Sequence, residues 1–540
     1  MSVFIGYPSF MAYQMMKGKK GNNDDDFPSI SGIIARYSAL GLTNEQMAAN
    51  PVWVDKTGNG HDLQMKNFAW KGMSGVGGYG DENYQTFYKF TLDDYVFIAS
   101  PPGVKHMNFT FRVTGLQPGN KLTLAFFGTT NTVYGIWDKD GIYTVDADIV
   151  EAGKPTYFYN GYGATRGEFT IEILPLYPGA LVFDGVDDYG VCENFPILTK
   201  EKGYTVVALR QWISMGEGIS GLVSNVKNWF NDGAFVLEYN SNNATNKFVN
   251  RPISFGNVNI EMDLPNNFTY QTSKSYKGVP ITTGYFKGTN SLFVGKLNNI
   301  IGNCSNVAIW ELVFLDHDAT EEELTKIKDY FVKTYPWLFP DQAWTVVGKT
   351  NEDEDRATIA NITGNGNDLV LSNFGFAEGS GYNEEGEYAG YLVTDGVDDR
   401  VVSSLFTLNK DWTIVGNWKM LQPEANKSAG IVKQNSLFIY NHVDGLSISI
   451  NAAYSSFKLK DIRSVNAICS DGRIYLNDWT EIIDSKQQTV NESVGTLVIG
   501  ILGNVYTSLA FKNLGFYNNQ NLSKDDCIKA YNYLQTLKAK

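Results

Sequence analysis

Two five-residue stretches hold the densest potential chemistry in the chain. Asp184-Gly-Val-Asp-Asp188 recurs as Asp395-Gly-Val-Asp-Asp399. Clustered carboxylates suit a hard cation such as calcium, which prefers oxygen ligands. They also suit paired acid and base work. A simpler role competes with both. Asp-Gly supplies a turn whose glycine takes positive φ, and aspartate side chains bond nearby backbone amides. Both copies keep the motif whole, whereas catalytic residues of tandem units often survive in one copy only. Asp184, Asp187, Asp188, Asp395, Asp398 and Asp399 are therefore read first as turn residues, with calcium ligation as the alternative.

A second repeated stretch, Thr57-Gly-Asn-Gly-His-Asp-Leu63 and Thr363-Gly-Asn-Gly-Asn-Asp-Leu369, is turn chemistry too. Asn-Gly is a strong hairpin signal. The glycine spacing and following lysine of a phosphate-binding loop are absent. So are a Gly-x-Ser-x-Gly elbow and the Glu-x-Asp-x-x-Glu strand of jelly-roll glycan hydrolases. Carboxylates from distant strands can still converge in a fold, but nothing local points to an enzyme. The four histidines, His61, His106, His317 and His442, are far apart in sequence. Cys192, Cys304, Cys469 and Cys527 form no metal-ligand spacing and are expected to be buried free thiols. No cofactor is implied, calcium at the aspartates aside. Trp70, Tyr79, Tyr95, Trp137, Tyr159, Tyr162, Trp229, Tyr239 and Trp479 lie in turn-rich contexts. Most are read first as core or interface residues; rings exposed there would stack on sugar faces. The run Gly72–Gly80 reads as a loop packed close to another backbone, with ligand contact as the alternative.

The elements that position these residues form a tandem repeat. The Thr-Gly-Asn-Gly and Asp-Gly-Val-Asp-Asp motifs stand 32 residues apart in the second copy (363 to 395) and 127 apart in the first (57 to 184), an excess of 95. A further domain is therefore expected inside the first copy. Its short alternating runs between Pro and Gly turns, such as Phe109–Val113 and Phe169–Leu174, predict a small β-sandwich. Each copy ends in a short amphipathic helix. The first begins at the capping box Thr320-x-x-Glu323, with Leu324, Ile327, Tyr330 and Phe331 on one face. The second begins at Ser523, with Cys527, Ile528, Tyr531 and Leu534 alike. Pro336 and Pro340 then stiffen the link between copies. The expected fold is all-β: tandem jelly-roll sandwiches, a small β-sandwich inserted in the first, and a C-terminal helix on each. The expected divisions are an N-terminal arm (1–30), the first sandwich (31–85 and 180–337), the insertion (86–179) and the second sandwich (338–540).

Composition narrows the function. A formal charge of −14 opposes binding to nucleic acid and to anionic membranes. No apolar run is long enough to span a bilayer, and the first residues lack the basic start of a secretion signal. The aromatic content of 14% suits β-sheets and glycan-binding surfaces.

Two resemblances follow from particular residues. Phe183-Asp-Gly-Val-Asp-Asp-Tyr189 followed by Tyr204-Thr-Val-Val207 resembles the opening of concanavalin A-like or laminin-G-like domains; the second copy departs, with Thr394 and Arg400 in place of the aromatics. That departure weakens a shared ligand site more than a shared fold. Ile34-Ala-Arg-Tyr-Ser-Ala-Leu-Gly41, Asp55–Asp62, Asn67–Gly75 and Phe183–Tyr189 together are similar to proteins of phages and prophages of Bacteroides-group bacteria, crAss-like phages included. This second resemblance implies a virion structural protein: a head-fibre, decoration or tail-fibre subunit. It would be a homo-oligomer, joined to capsid or tail proteins through residues 1–30 and bearing surfaces for host or mucosal glycans. A cellular lectin and a capsule depolymerase are the competing readings.

Overall fold

The computed structural model describes residues 26–79, 87–90, 95–99, 106–126, 132–148, 156–160, 167–199, 201–214, 220–226, 236–240, 248–249, 267–280, 289–298, 304–385, 388–421, 429–434, 437–442, 445–450, 453–457, 464–476, 479–483, 492–499, 501–502, 505–506 and 508–539. The protein is all-β, built from antiparallel sheets with few helices. Among the described residues no helix is long and apolar enough to cross a membrane.

The two copies share one strand order. In the first, one sheet runs Gly75–Val76, Leu181–Asp184, Asn306–Leu315, Thr205–Ser214, Phe268–Thr272, Ser275–Tyr276 and Val279–Pro280. In the second it runs Gly381–Asn383, Tyr391–Val393, Leu509–Asn518, Trp412–Met420, Ser464–Cys469, Arg473–Leu476 and Thr480–Ile483. The entering strand of each copy, Ile33–Ser38 or Gln342–Thr345, pairs with the far half of the same long strand. The facing sheets match likewise, from Val52–Trp53 through Leu63–Lys66, Tyr189–Cys192 and Leu292–Val294 in one copy, and from Thr358–Ile359 through Leu369–Ser372, Arg400–Leu408 and Ser493–Ile499 in the other.

Burial follows from this layering. Leu63–Lys66 and Leu369–Ser372 alternate buried and exposed, as strands with one covered face should. Asn306–Leu315 is buried from its second residue onward because both of its faces are covered. Val307, Ile309, Leu312 and Phe314 meet the partner sheet, while Ala308, Trp310, Val313 and Leu315 meet a second apolar layer. The alternation slips at Glu311, where the pairing with Thr205–Ser214 also shifts register.

That second layer is where the copies meet. Helix Glu321–Thr334 carries the capping box at Thr320 and Glu323 and buries Ile327, Tyr330 and Phe331. Helix Lys524–Gln535, capped by Ser523, buries Cys527, Ile528, Tyr531 and Leu534. The 3-10 turn Pro336–Leu338 lies between them, and all three join one apolar cluster that also holds Leu209, Val415 and Tyr517. Polar ties cross the same junction: Asn267 Nδ2 donates to the Leu338 carbonyl (2.7 Å) and to Tyr533 Oη (2.9 Å), and Gln211 Nε2 donates to Thr536 Oγ1 (2.9 Å).

The insertion sits at a hairpin. Gly381–Asn383 pairs directly with Tyr391–Val393 in the second copy. Between the corresponding strands of the first lie two four-stranded sheets, spanning Phe87–Phe90 to Phe169–Ile173, with a core of Phe109, Phe111, Leu122, Leu124, Phe158 and Ile171. Of the N-terminal arm, residues 1–25 lie outside the described residues. The remainder is docked on the first helix: Asp26 meets Lys333 Nζ at 2.7 Å and Phe27 packs edge-on against Tyr330.

Candidate functional site

The two aspartate clusters form the same hydrogen-bonded turn twice. Asp184 Oδ1 accepts from Val186 N (2.7 Å) and Asp187 N (3.4 Å); Asp395 Oδ1 accepts from Val397 N (2.7 Å) and Asp398 N (3.3 Å). Asp188 Oδ2 accepts from Asp184 N (3.1 Å), and Asp399 Oδ2 from Asp395 N (2.8 Å). Gly185 and Gly396 sit at φ of 81° and 75°, the left-handed geometry for which Asp-Gly is suited. The valine of each turn points outward, 76% and 71% exposed at Val186 and Val397, so the tip of the motif is a loop end and not a pocket wall.

A second segment clamps each turn from below. Ser74 Oγ donates to Asp188 Oδ1 (3.0 Å) and accepts from Ala69 N (2.7 Å). Ser380 Oγ does the same with Asp399 Oδ1 (3.0 Å) and Gly375 N (2.8 Å). Asn67 and Asn373, both in the left-handed region (φ 67° and 68°), donate to the carbonyls of Asp187 and Asp398 at 3.0 Å. The Asn-Phe pair that recurs in both copies is thereby explained: its asparagine caps the aspartate turn. Burial pushes the carboxyl of Asp188 up to about 7 and that of Asp399 up to about 6, with the neighbouring aspartates adding to the rise.

Each trio of aspartates brings one carboxylate oxygen per residue within 4.8 Å of the others. Within each trio, Asp184 and Asp188, or Asp395 and Asp399, are already engaged by backbone N–H groups. The third, Asp187 or Asp398, is exposed. The hydrogen bonds make each trio a turn lock, and the buried member, its carboxyl raised, is the one least ready to carry a charge.

The Thr-Gly-Asn-Gly loops are also locked in parallel. Asp55 Oδ1 accepts from Arg36 N (3.1 Å), Thr57 N (3.0 Å) and Thr57 Oγ1 (2.8 Å). In the second copy Asn361 Oδ1 accepts from Ala343 N (3.1 Å), Thr363 N (3.1 Å) and Thr363 Oγ1 (3.0 Å). Asn44 and Asn351, which sequence patterns did not single out, bond both backbone groups of Val76 and Tyr382. Gly75 and Gly381 lie under them; a Cβ at Gly75 would meet Asn44 Oδ1 at 2.4 Å and the Trp70 backbone at 3.0 Å. At Gly75 the run therefore packs against both the Asn44 side chain and the Trp70 backbone, while Gly77 and Gly78 pack against side chains.

Of the aromatic candidates, Trp479 is 2% exposed and packs between Tyr475 and Tyr531. Trp70 stacks on Phe68, while Tyr79 and Trp137 pack against the core of the insertion. These four rings serve cores. Tyr159 is half-buried. Tyr162 and Trp229 lie outside the described residues, as do the side chains of Tyr95 and Tyr239. All four cysteines are buried and free.

No family model and no curated protein matches the chain. Among solved structures it is similar to Trypanosoma rangeli sialidase in complex with sialic acid, at 10% identity over 76% of each chain and a TM-score of 0.26. It is also similar to the botulinum neurotoxin serotype D binding domain, at 11% identity over 64% of this chain and 88% of that one, with a TM-score of 0.23. Likenesses this distant carry no argument about function.

Proposed function

We propose that the chain is a non-enzymatic structural protein of a phage particle, a head-fibre, decoration or tail-fibre subunit that displays β-sandwiches toward host or mucosal glycans. One observation carries the reading. The repeated motifs, the places where a tandem enzyme would keep its chemistry, are spent on locking turns in both copies. What repetition preserves here is a rigid frame, and a frame that holds loops outward is what a display protein needs. The fusion of both copies through one apolar junction supports the same reading, because a shared core resists separation of the units.

The virion assignment rests on the resemblance in residues 34–41, 55–62, 67–75 and 183–189. It is tested by mass spectrometry of density-purified particles from infected Bacteroides-group cultures. Peptides of this chain should co-purify with the major capsid protein at fixed stoichiometry. Their confinement to the cell envelope would favour a cellular lectin instead. Release of reducing ends from host capsule by the purified chain would overturn the non-enzymatic reading.

A further inference from the structure

The junction between the sandwiches holds more than an apolar seam. A cleft of about 630 Å³ opens beside it, inside the roughly 300–1,000 Å³ range of small-ligand sites. Its walls come from both copies: Asn267 and Phe268 from the first, Phe339 and Pro340 from the link, Asn365 and Gln520 from the second. Amide side chains lead the polar lining, and the apolar lining joins the Phe268 and Phe339 rings to aliphatic side chains such as Val332 and Ile362. This is the composition that recognises a sugar, whose hydroxyls take amide hydrogen bonds while its C–H faces lie on rings.

Two orphaned atoms point the same way. Asn267 is 5% exposed. Its Nδ2 is fully used at the junction, donating to the Leu338 carbonyl and Tyr533 Oη, but its Oδ1 has no hydrogen-bond partner among the described residues. Gln520 Oε1 is likewise buried and without a partner among the described residues. Buried acceptors left unpaired are uncommon and costly. Both belong to residues lining the cleft, and both atoms are closed to water as they stand, so a ligand satisfies them by drawing either side chain outward and supplying donors. Charge narrows the class. Lys277 and Lys328 line the cleft beside one carboxylate, Asp341, which is already bonded by Asn518 N at 2.6 Å. That balance favours neutral or acidic sugars over cationic ones.

We propose that this inter-sandwich cleft is a saccharide-binding site that takes a neutral or acidic sugar on its amide side chains, with Asn267 and Gln520 turning their unpaired acceptors toward it, and on the rings of Phe268 and Phe339. The proposal rests on the reading of the chain as a glycan-binding display protein, and it deepens that reading by placing the site where only the fused pair of copies can make it.

The test uses the full chain on an array of neutral hexose, N-acetylhexosamine and uronic-acid oligosaccharides. Two variants accompany it: Gln520→Ala removes an acceptor, and Lys328→Trp fills the mouth from an exposed helix position. The expected result is a bound saccharide whose affinity falls at least tenfold in both variants, with the melting temperature unchanged. If a sugar binds the wild-type chain and both variants alike, the cleft is overturned while glycan binding stands. If the folded wild-type chain binds none of the array, the saccharide site and the glycan-binding reading fall together, and particle association decides separately whether the chain is a virion protein.

Discussion

The two sandwiches share a frame but fill it with different chemistry. In the first copy, Arg36 is buried and bonds Glu311 through Nε (3.2 Å) and Nη2 (3.3 Å). The strand register puts Ala343 and Asn513 at the corresponding places in the second copy. Arg210 of the first copy, wholly buried, grips Glu238 through Nε and Nη2, both at 2.7 Å. Its counterpart in the pairing with the long strand is Trp418, 1% exposed. One copy has solved its core with charge, the other with an indole and an amide. The turn locks at Asp184 and Asp395 did not diverge in this way. Local loop geometry has been held constant while the interior was free to change, as expected where a fold needs volume and satisfied polar groups and not particular residues.

Breaking one of those ion pairs is the harshest test of the contrast. Glu238 accepts from Arg210, from Trp212 Nε1 (3.0 Å) and from Tyr276 Oη (2.7 Å), so every carboxylate oxygen is occupied. The guanidinium beside it holds its carboxyl below the usual range against the opposing push of burial. Glu238→Ala leaves a buried cation unmatched and should cost about 3–5 kcal/mol in urea unfolding. The double variant Arg210→Met, Glu238→Leu should recover most of that loss. A double variant as unstable as the single would show that the first sandwich, unlike the second, depends on the pair itself.

The Thr-Gly-Asn-Gly loops offer a gentler exchange. The second carboxylate oxygen of Asp55 accepts from His61 N at 3.3 Å. The amide nitrogen of Asn361 instead donates to the Gly366 carbonyl and Gln342 Oε1. Swapping the residues therefore has unequal effects. Asn361→Asp sets a buried anion against two acceptors and should cost about 2 kcal/mol; Asp55→Asn sets one donor against another and should cost about 1 kcal/mol. Equal costs would mean that the loops relax freely and that their difference is incidental.

Titration separates the two turns by a smaller amount. The carboxyls of Asp188 and Asp399 are raised in the folded protein above the value of about 3.9 that an unfolded chain gives. Between those values the folded state holds protons that the unfolded state has lost, so stability falls as pH rises from about 4 toward 6 to 7 and levels off above. The window reaches higher for Asp188 than for Asp399. Denaturation midpoints should therefore be higher at pH 5 than at pH 8, and Asp188→Asn should flatten that slope more than Asp399→Asn. A midpoint that climbs with pH would contradict the burial of these carboxyls.

Much of this frame is legible in the order of residues alone, and the reason is range. The aspartate turns, the Asn-Gly loops, the capping box at Thr320 and the all-β class are decided by residues a few positions apart. The excess of 95 residues between paired motifs falls where the first copy carries two extra sheets. What stays hidden depends on register and on long-range packing. Arg210 and Glu238 lie in strands of opposite sheets and meet only once both strands are placed. Asn44 gives no local signal that it will latch onto Val76. The cleft beside Asn267 draws Gln520 from the far end of the chain, and no spacing rule reaches that far. The aromatic candidates stay undivided for a related reason: turn-rich flanks do not tell a core ring from an exposed one, and Trp479, held in the left-handed region at φ 62°, swings into the junction core as the core reading has it.

The smallest effect expected is that of calcium, and it bears on whether the turns are locks or ligand cages. A calcium ion takes about six to eight oxygens. Each turn offers three aspartates, of which one is buried with a raised carboxyl and another is already bonded to the backbone. Adding millimolar calcium, or removing it with chelator, should leave the melting temperature of the intact chain unchanged within a degree or so. Asp187→Asn and Asp398→Asn should be as silent, since both side chains are exposed and the locks run through their neighbours. A rise in melting temperature with calcium, abolished by either substitution, would make that turn a cation site. If only one copy lost its response, the likeness between the two turns would end at the backbone, and the copies would differ in function as well as in core.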